Sequence, residues 1–131
     1  MKRPLWGALG LILMSVLVAG AAVSCSREEK SITVDLSYSG KQVEMSIGDS
    51  LVVTLPSDAS TGLSWSAWVS DETILQQIEH QYIGQVGAGG EEIWTFKAIM
   101  EGTVTIEMEY RPPQEEDAEP AQTFDLAVNV R

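Results

Sequence analysis

The chain of 131 residues is long enough for one domain, and it carries 19 acidic against 8 basic residues for a formal net charge of −11. Such a charge repels phosphate backbones and anionic lipid, which argues against nucleic-acid binding. With one cysteine and one histidine, the sequence offers no internal disulfide and no zinc site of three or four Cys or His ligands, so no metal or other cofactor is expected.

The first 24 residues have the plan of an export signal. Lys2 and Arg3 precede an almost wholly apolar run, and small residues lead into Cys25. This arrangement resembles a bacterial lipoprotein signal, which implies that Cys25 is lipidated and becomes the mature N-terminus. The alternative is a retained membrane anchor, because residues 5–23 are long enough to span a bilayer. Either way we expect an exported domain in the cell envelope, with the outer membrane favoured, that is held at a membrane through residues 25–30.

Alternation of apolar and polar residues predicts strands through the rest of the chain. The predicted strands are residues 32–36, 43–47, 51–55, 63–67, 92–98, 103–110 and 124–130. Residues 74–83 have the weakest pattern, which is compatible with a short helical turn followed by a strand. The longer connections, rich in small or turn-forming residues, are 56–62, 84–90 and 111–121.

Seven to eight short strands, each with one apolar face, predict an all-β fold over residues 31–131, an immunoglobulin-like antiparallel β-sandwich. In that strand order alternate connections fall at the same end. The connections 56–62, 84–90 and 111–121 should therefore lie side by side and form one candidate binding edge.

The residues give little support for an enzyme. His80 lies in a predicted strand, far from any marked serine, so no nucleophile with a neighbouring base is apparent. The glycine-rich segment before Glu91 lacks the lysine of a phosphate loop, and the acidic run 115–117 lacks the alternating ligands of a calcium loop. Trp65 falls on an inward face, and Trp68 falls on the opposite face, where partial exposure is expected.

Three motifs in the connections resemble the chagasin-type inhibitors of papain-like cysteine peptidases. The first loop of that family reads Asn-Pro-Thr-Thr-Gly plus an aromatic residue, the second is glycine-rich, and the third begins Arg-Pro and continues with an aromatic residue. The matching positions here are Asp58, Ala59, Ser60, Thr61, Gly62 and Leu63, then Gly87, Ala88, Gly89 and Gly90, then Arg111, Pro112 and Pro113. The resemblance extends from Ile32 to Val130.

The resemblance implies a monomeric inhibitor that occludes the cleft of a papain-like peptidase with these three loops, reversibly and without a covalent bond. Several family residues are replaced, at Asp58, Ala59, Ser60, Leu63 and Pro113, which predicts altered affinity or target choice. The alternative function is a lipid-anchored adhesion or assembly module of the same fold, without a peptidase target.

Overall fold

A computed structural model describes residues 28–85 and 89–131 of the chain. The signal segment, Cys25, Gly87 and Ala88 lie outside the described residues. The described part contains eight strands: β1 (Ser31–Val34), β2 (Lys41–Met45), β3 (Ser50–Ser57), β4 (Ser64–Val69), β5 (Leu75–Gln85), β6 (Gly89–Ala98), β7 (Gly102–Arg111) and β8 (Gln122–Val130). Two short 3₁₀ helices, Leu36–Tyr38 and Ala59–Thr61, complete it.

The strands form two four-stranded sheets, in the orders β1-β3-β6-β5 and β2-β8-β7-β4. This arrangement confirms the predicted immunoglobulin-like sandwich. The pairings are antiparallel except at two places, where β1 lies parallel to β3 and β2 lies parallel to β8. Both exceptions arise because the chain passes from one sheet to the other between β1 and β2 and again between β2 and β3.

The core lies between the two sheets and consists of the inward residues of the alternating strands. Phe96 of β6 and Phe124 of β8 are its largest fully buried side chains. Each such side chain contributes about 1.5–3 kcal/mol when it leaves water. The inward faces predicted for β3, β6, β7 and β8 are confirmed, and Trp65 is buried while Trp68 is 46% exposed.

Some predicted boundaries are wrong. The first strand ends at Val34 because the Asp35 side chain accepts the Ser37 N–H at 2.9 Å and caps a 3₁₀ helix instead. Ile47, predicted as an inward strand residue, lies in the β2–β3 turn and is 52% exposed. These segments lie where the chain changes sheets, and a period of two carries no information about such a crossing.

The uncertain region 74–83 is a strand from Leu75 onward, and a single turn at residues 71–75 precedes it. Asp71 closes a tight turn through its backbone oxygen, which accepts the N–H groups of Ile74 and Leu75 at 3.2 and 3.3 Å. The chain then continues as β5, with an irregularity between Gln77 and Glu79. Because β5 is an edge strand whose side chains at positions 76–84 are exposed, no buried stripe marked it in the sequence.

The strands run alternately up and down, which divides the connections between two poles. The β3–β4, β5–β6 and β7–β8 connections lie at one end, here called the loop pole. The β1–β2 connection faces the same end but crosses between the sheets four residues short of it, because Val34 pairs with Val53 of β3 and Lys41 pairs with Leu126 of β8. The short turns β2–β3, β4–β5 and β6–β7 lie at the other, the terminal pole. There the Lys30 N–H donates to Asp49 Oδ1 at 3.0 Å and the Arg131 N–H to the Met45 carbonyl at 2.9 Å. Within residues 28–85 and 89–131, no helix is long and apolar enough to cross a membrane.

Candidate functional site

The three connections predicted to form a binding edge end next to one another at the loop pole. Gly90 of β6 pairs with Ser57 of β3, and Arg111 of β7 pairs with Ser64 of β4. A hydrogen bond also joins the first of these connections to the other sheet, because the Asp58 N–H donates to the hydroxyl oxygen of Tyr110 on β7 at 2.9 Å. A shallow depression of about 500 Å³ lies between the connections, lined by Pro56, Ser57, Asp58, Thr61, Gly89, Gly90, Tyr110, Ala121 and Gln122.

The first loop, residues 58–63, is held in shape by its own polar groups. Asp58 caps the 3₁₀ helix Ala59–Thr61, since its Oδ1 accepts both the Ser60 N–H at 2.9 Å and the Ser60 hydroxyl at 2.7 Å. Gly62 ends the helix with φ of 78°, a left-handed conformation that glycine adopts without steric cost. Residues 59–62 are exposed, so the loop projects from the sandwich.

The two loop hydroxyls already donate inside the loop. The Ser60 hydroxyl donates to Asp58, and the Thr61 hydroxyl donates to the Asp58 carbonyl oxygen at 2.7 Å while accepting the Leu63 N–H at 3.2 Å. A hydroxyl has one proton, so in this conformation the Ser60 and Thr61 hydroxyls can only accept hydrogen bonds from a binding partner. The sequence placed these hydroxyls at the loop but gave no sign that their protons are committed.

The same bonds set the ionisation of Asp58. Donation by the Ser60 hydroxyl, and next by the Ser60 N–H, stabilises the carboxylate and lowers the pKa of Asp58 below its ordinary value of 3.8. Asp58 therefore remains ionised, and its cap intact, throughout mildly acidic and neutral pH.

Aromatic residues tie the first loop to the framework. The Trp65 indole Nε1 donates to the Pro56 carbonyl oxygen at 2.9 Å, which joins the strand before the loop to the strand after it. The ring of Trp65 lies 5.1 Å from that of Tyr110, whose hydroxyl holds Asp58. A second phenol, that of Tyr82 on β5, accepts the Ala59 N–H at 3.5 Å.

The second connection is a hairpin shorter than the predicted loop 84–90. Gly84 pairs with Gly90 and Gln85 with Gly89, so these residues belong to the strands. A Cβ at Gly90 would lie 2.4 Å from the Ile83 carbonyl oxygen and 2.9 Å from the Tyr82 hydroxyl. This glycine therefore serves close packing within the sheet as well as the turn.

In the third connection, the Arg111 side chain turns back onto the sheet. Its guanidinium donates to the Glu116 carbonyl oxygen, lies 5.7 Å from the centre of the Trp68 ring, and approaches Glu109 Oε2 at 3.9 Å. Only 12% of the side chain is exposed. Arg111 thus holds the connection in place, whereas Pro113 is exposed at its start.

A buried cluster beneath the loop pole went unrecognised in the sequence. Glu92 of β6 accepts the Ser57 hydroxyl at 2.7 Å and lies 2.7 Å from His80 Nε2, so His80, expected to lie far from any serine, shares a carboxylate with Ser57. The order Ser–Glu–His differs from a nucleophilic triad, in which the histidine contacts the serine, and Ser57 is itself buried. Among the described residues, no group of three or more His, Cys, Asp or Glu side chains is placed to hold a metal ion.

Comparison with known proteins gives a family and a set of similar folds. Residues 44–128 match the family described as "Chagasin family peptidase inhibitor I42". No curated protein sequence matches the chain.

Several solved structures are similar. The crystal structure of the cysteine protease inhibitor EhICP2 from Entamoeba histolytica has a TM-score of 0.72 at 18% identity, over 81% of this chain and 100% of that one. The solution structure of Amebosin has a TM-score of 0.60 at 25% identity, over 80% and 100%. The structure of PbICP-C in complex with falcipain-2 has a TM-score of 0.51 at 17% identity, over 84% and 96%.

Proposed function

The chain belongs to the chagasin family of peptidase inhibitors, and we propose that it inhibits papain-like (C1 family) cysteine peptidases by inserting its loop pole into their active-site cleft. The observation that carries this proposal is the first loop, which is exposed, internally bonded and flanked by the two other connections. One inhibitor, acting as a monomer, binds one peptidase reversibly, and no covalent bond forms.

Obstruction needs a rigid loop more than a reactive one. The first loop is fixed by Asp58, Thr61 and Tyr110 before any partner arrives, so little conformational entropy is lost on binding. Its 3₁₀ turn and left-handed Gly62 also keep the backbone from the extended form of a strand, which is the form that a peptide takes when it lies along a cleft. These features account for a loop that occupies the cleft and is not cut.

The second and third connections add contact area on both sides of the first loop. Gly89 and Gly90 lie on one side of the first loop, and Pro112 and Pro113 begin the connection on the other. Gly87 and Ala88, which lie outside the described residues, belong to the proposed contact surface by family resemblance. Arg111 contributes indirectly, because its guanidinium fixes the third connection and is largely covered.

The sharpest test compares two glycines that share a left-handed backbone conformation but lie in different connections. Gly62 at the loop pole has φ of 78° and Gly40, in the β1–β2 connection, has φ of 83°. A Cβ at either position meets nothing within 4 Å in the free protein. Gly62→Glu and Gly40→Glu therefore carry the same backbone strain and the same added charge.

The proposal predicts that the wild-type protein titrates papain to zero activity at a one-to-one ratio. Gly62→Glu should raise Ki roughly 10–100-fold, because a side chain is forced into a close-packed contact, while Gly40→Glu leaves Ki near the wild-type value. Full papain activity at micromolar wild-type protein would favour the adhesion module. Equal Ki values for both variants would remove the first loop from the contact surface.

We also propose that Cys25 is lipidated after cleavage of residues 1–24 and anchors the inhibitor in the cell envelope. Support comes from the place where the chain enters the domain, since Lys30 is hydrogen-bonded to Asp49 at the terminal pole, opposite to the first loop. An anchor there leaves the loop pole directed away from the membrane. Mass spectrometry of the exported protein should show an acylated N-terminus that is absent from Cys25→Ser.

A further inference from the structure

Glu92 is a buried carboxylate, 2% exposed, at the base of the loop pole. Its Oε2 accepts two bonds, from the Ser57 hydroxyl at 2.7 Å and from the Trp65 N–H at 3.0 Å. Its Oε1 lies 2.7 Å from His80 Nε2. A carboxylate oxygen accepts hydrogen bonds, so the tautomer of His80 with its proton on Nε2 is the one that donates to Glu92.

The two donors on Oε2 are the two ends of the first loop. Ser57 is the last residue of β3, immediately before the loop, and Trp65 is the second residue of β4, two positions after the loop. Their side-chain and backbone groups share a single oxygen atom, which fixes the separation of the loop's ends. Hydrogen bonds to a charged acceptor are stronger than neutral ones, and burial removes the competing water.

The remaining oxygen couples this anchor to the second connection. His80 lies on β5, the strand that leads into the hairpin, and its ring stacks on Trp94 with centroids 3.7 Å apart. One side chain of β6 therefore joins β3, β4 and β5 beneath the loop pole. No other described contact links these three strands through a single group.

We infer that Glu92 is a positioning residue of the inhibitory surface, which sets the spacing of the first loop's ends and its position against the hairpin. The inference rests on the proposed function for its effect on inhibition, but not for its effect on the loop itself. Glu92 does not contact the peptidase, because it is buried beneath the loop.

Two substitutions separate the acceptor role from the shape of the side chain. Glu92→Gln keeps an oxygen that accepts from Ser57 and Trp65, and its amide nitrogen donates to a neutral His80. Glu92→Met has a similar length but no comparable acceptor, which leaves a buried N–H and hydroxyl unsatisfied. Glu91→Met, at the exposed neighbouring position, controls for the loss of one negative charge.

The experiment measures Ki for papain, the thermal transition, and hydrogen exchange of the Trp65 amide and of residues 58–63, using the full-length protein in mild detergent. Glu92→Met should raise Ki about tenfold or more at a temperature where it is fully folded, with faster exchange in the loop. Glu92→Gln should restore both values to within about threefold of the wild type. Glu91→Met should leave both unchanged.

A folded Glu92→Met with wild-type Ki and wild-type loop exchange would overturn the inference. If Glu92→Met does not fold, Ser57→Ala removes one donor alone, and unchanged loop exchange in that variant would overturn the inference equally. If the wild-type protein leaves papain active, the proposed function fails, and the exchange measurement still decides whether Glu92 fixes the loop.

Discussion

Removing one oxygen atom from Tyr110 should loosen the inhibitory loop without disturbing the core. The Tyr110 hydroxyl accepts the Asp58 N–H at 2.9 Å, and the residue is only 8% exposed, so Tyr110→Phe leaves that amide without its partner. The ring and its contact with Trp65 at 5.1 Å remain. A lost bond of this kind costs about 0.5–1.5 kcal/mol net, or more where the donor stays buried.

Since about 1.4 kcal/mol corresponds to a factor of ten, a loss near 1 kcal/mol should raise Ki for papain roughly fivefold. It should also lower the thermal midpoint by about 4–8 °C. Tyr38→Phe is the matched control, because Tyr38 lies in the β1–β2 connection, which crosses between the sheets four residues short of the loop pole. Equal inhibition by Tyr110→Phe and Tyr38→Phe, measured by steady-state titration of papain, would show that the bond between Asp58 and Tyr110 does not hold the loop in its inhibitory shape.

Three further predictions concern the connections at the loop pole. Gly90→Ala should disrupt the hairpin and reduce both the thermal midpoint and inhibition, because its Cβ would meet a backbone oxygen at 2.4 Å; a wild-type melting curve would contradict this. The Asp58 carboxylate, with its pKa lowered by Ser60, stabilises the loop above its ordinary value of 3.8 and ceases to do so as pH falls through the lower folded value. The protection factors of the loop amides in hydrogen exchange should therefore stay constant from pH 5 to 7. Arg111→Lys should loosen the third connection, because an ammonium lacks the planar guanidinium that bonds to Glu116 and lies near the Trp68 ring. The expected results are a red shift of Trp68 fluorescence and weaker inhibition.

The sandwich was readable from the sequence because its central strands alternate cleanly. Trp94, Phe96 and Ala98 share one face of β6, and the inward face of β7 is equally regular. Once the strands were ordered, their alternating directions brought the three longer connections to one end. The edge strand β5 was harder, because its exposed side chains leave no buried stripe to detect.

The polar supports of the loop were not foreseen. Glu92 lies on the same face of β6 as Trp94 and Phe96, because residues of a strand alternate between its two faces. The sequence therefore already indicated a carboxylate that points inward. Its partners Ser57 and His80 come from two other strands, and pairwise contacts between strands cannot be derived from the period of one of them. Arg111 shows the same limit, since its motif suggested a contact residue but gave no sign that its guanidinium bonds to Glu116 and lies near the Trp68 ring.

The central claim is that one pole of the sandwich, and not the other, closes the peptidase cleft. Hydrogen exchange of the protein with and without papain tests it directly. We expect slower exchange on binding at residues 58–63 and 112–121, and no change in the terminal-pole turns 46–49 and 99–101. Protection confined to the terminal pole, or no protection at 58–63 in a complex that inhibits, would contradict it.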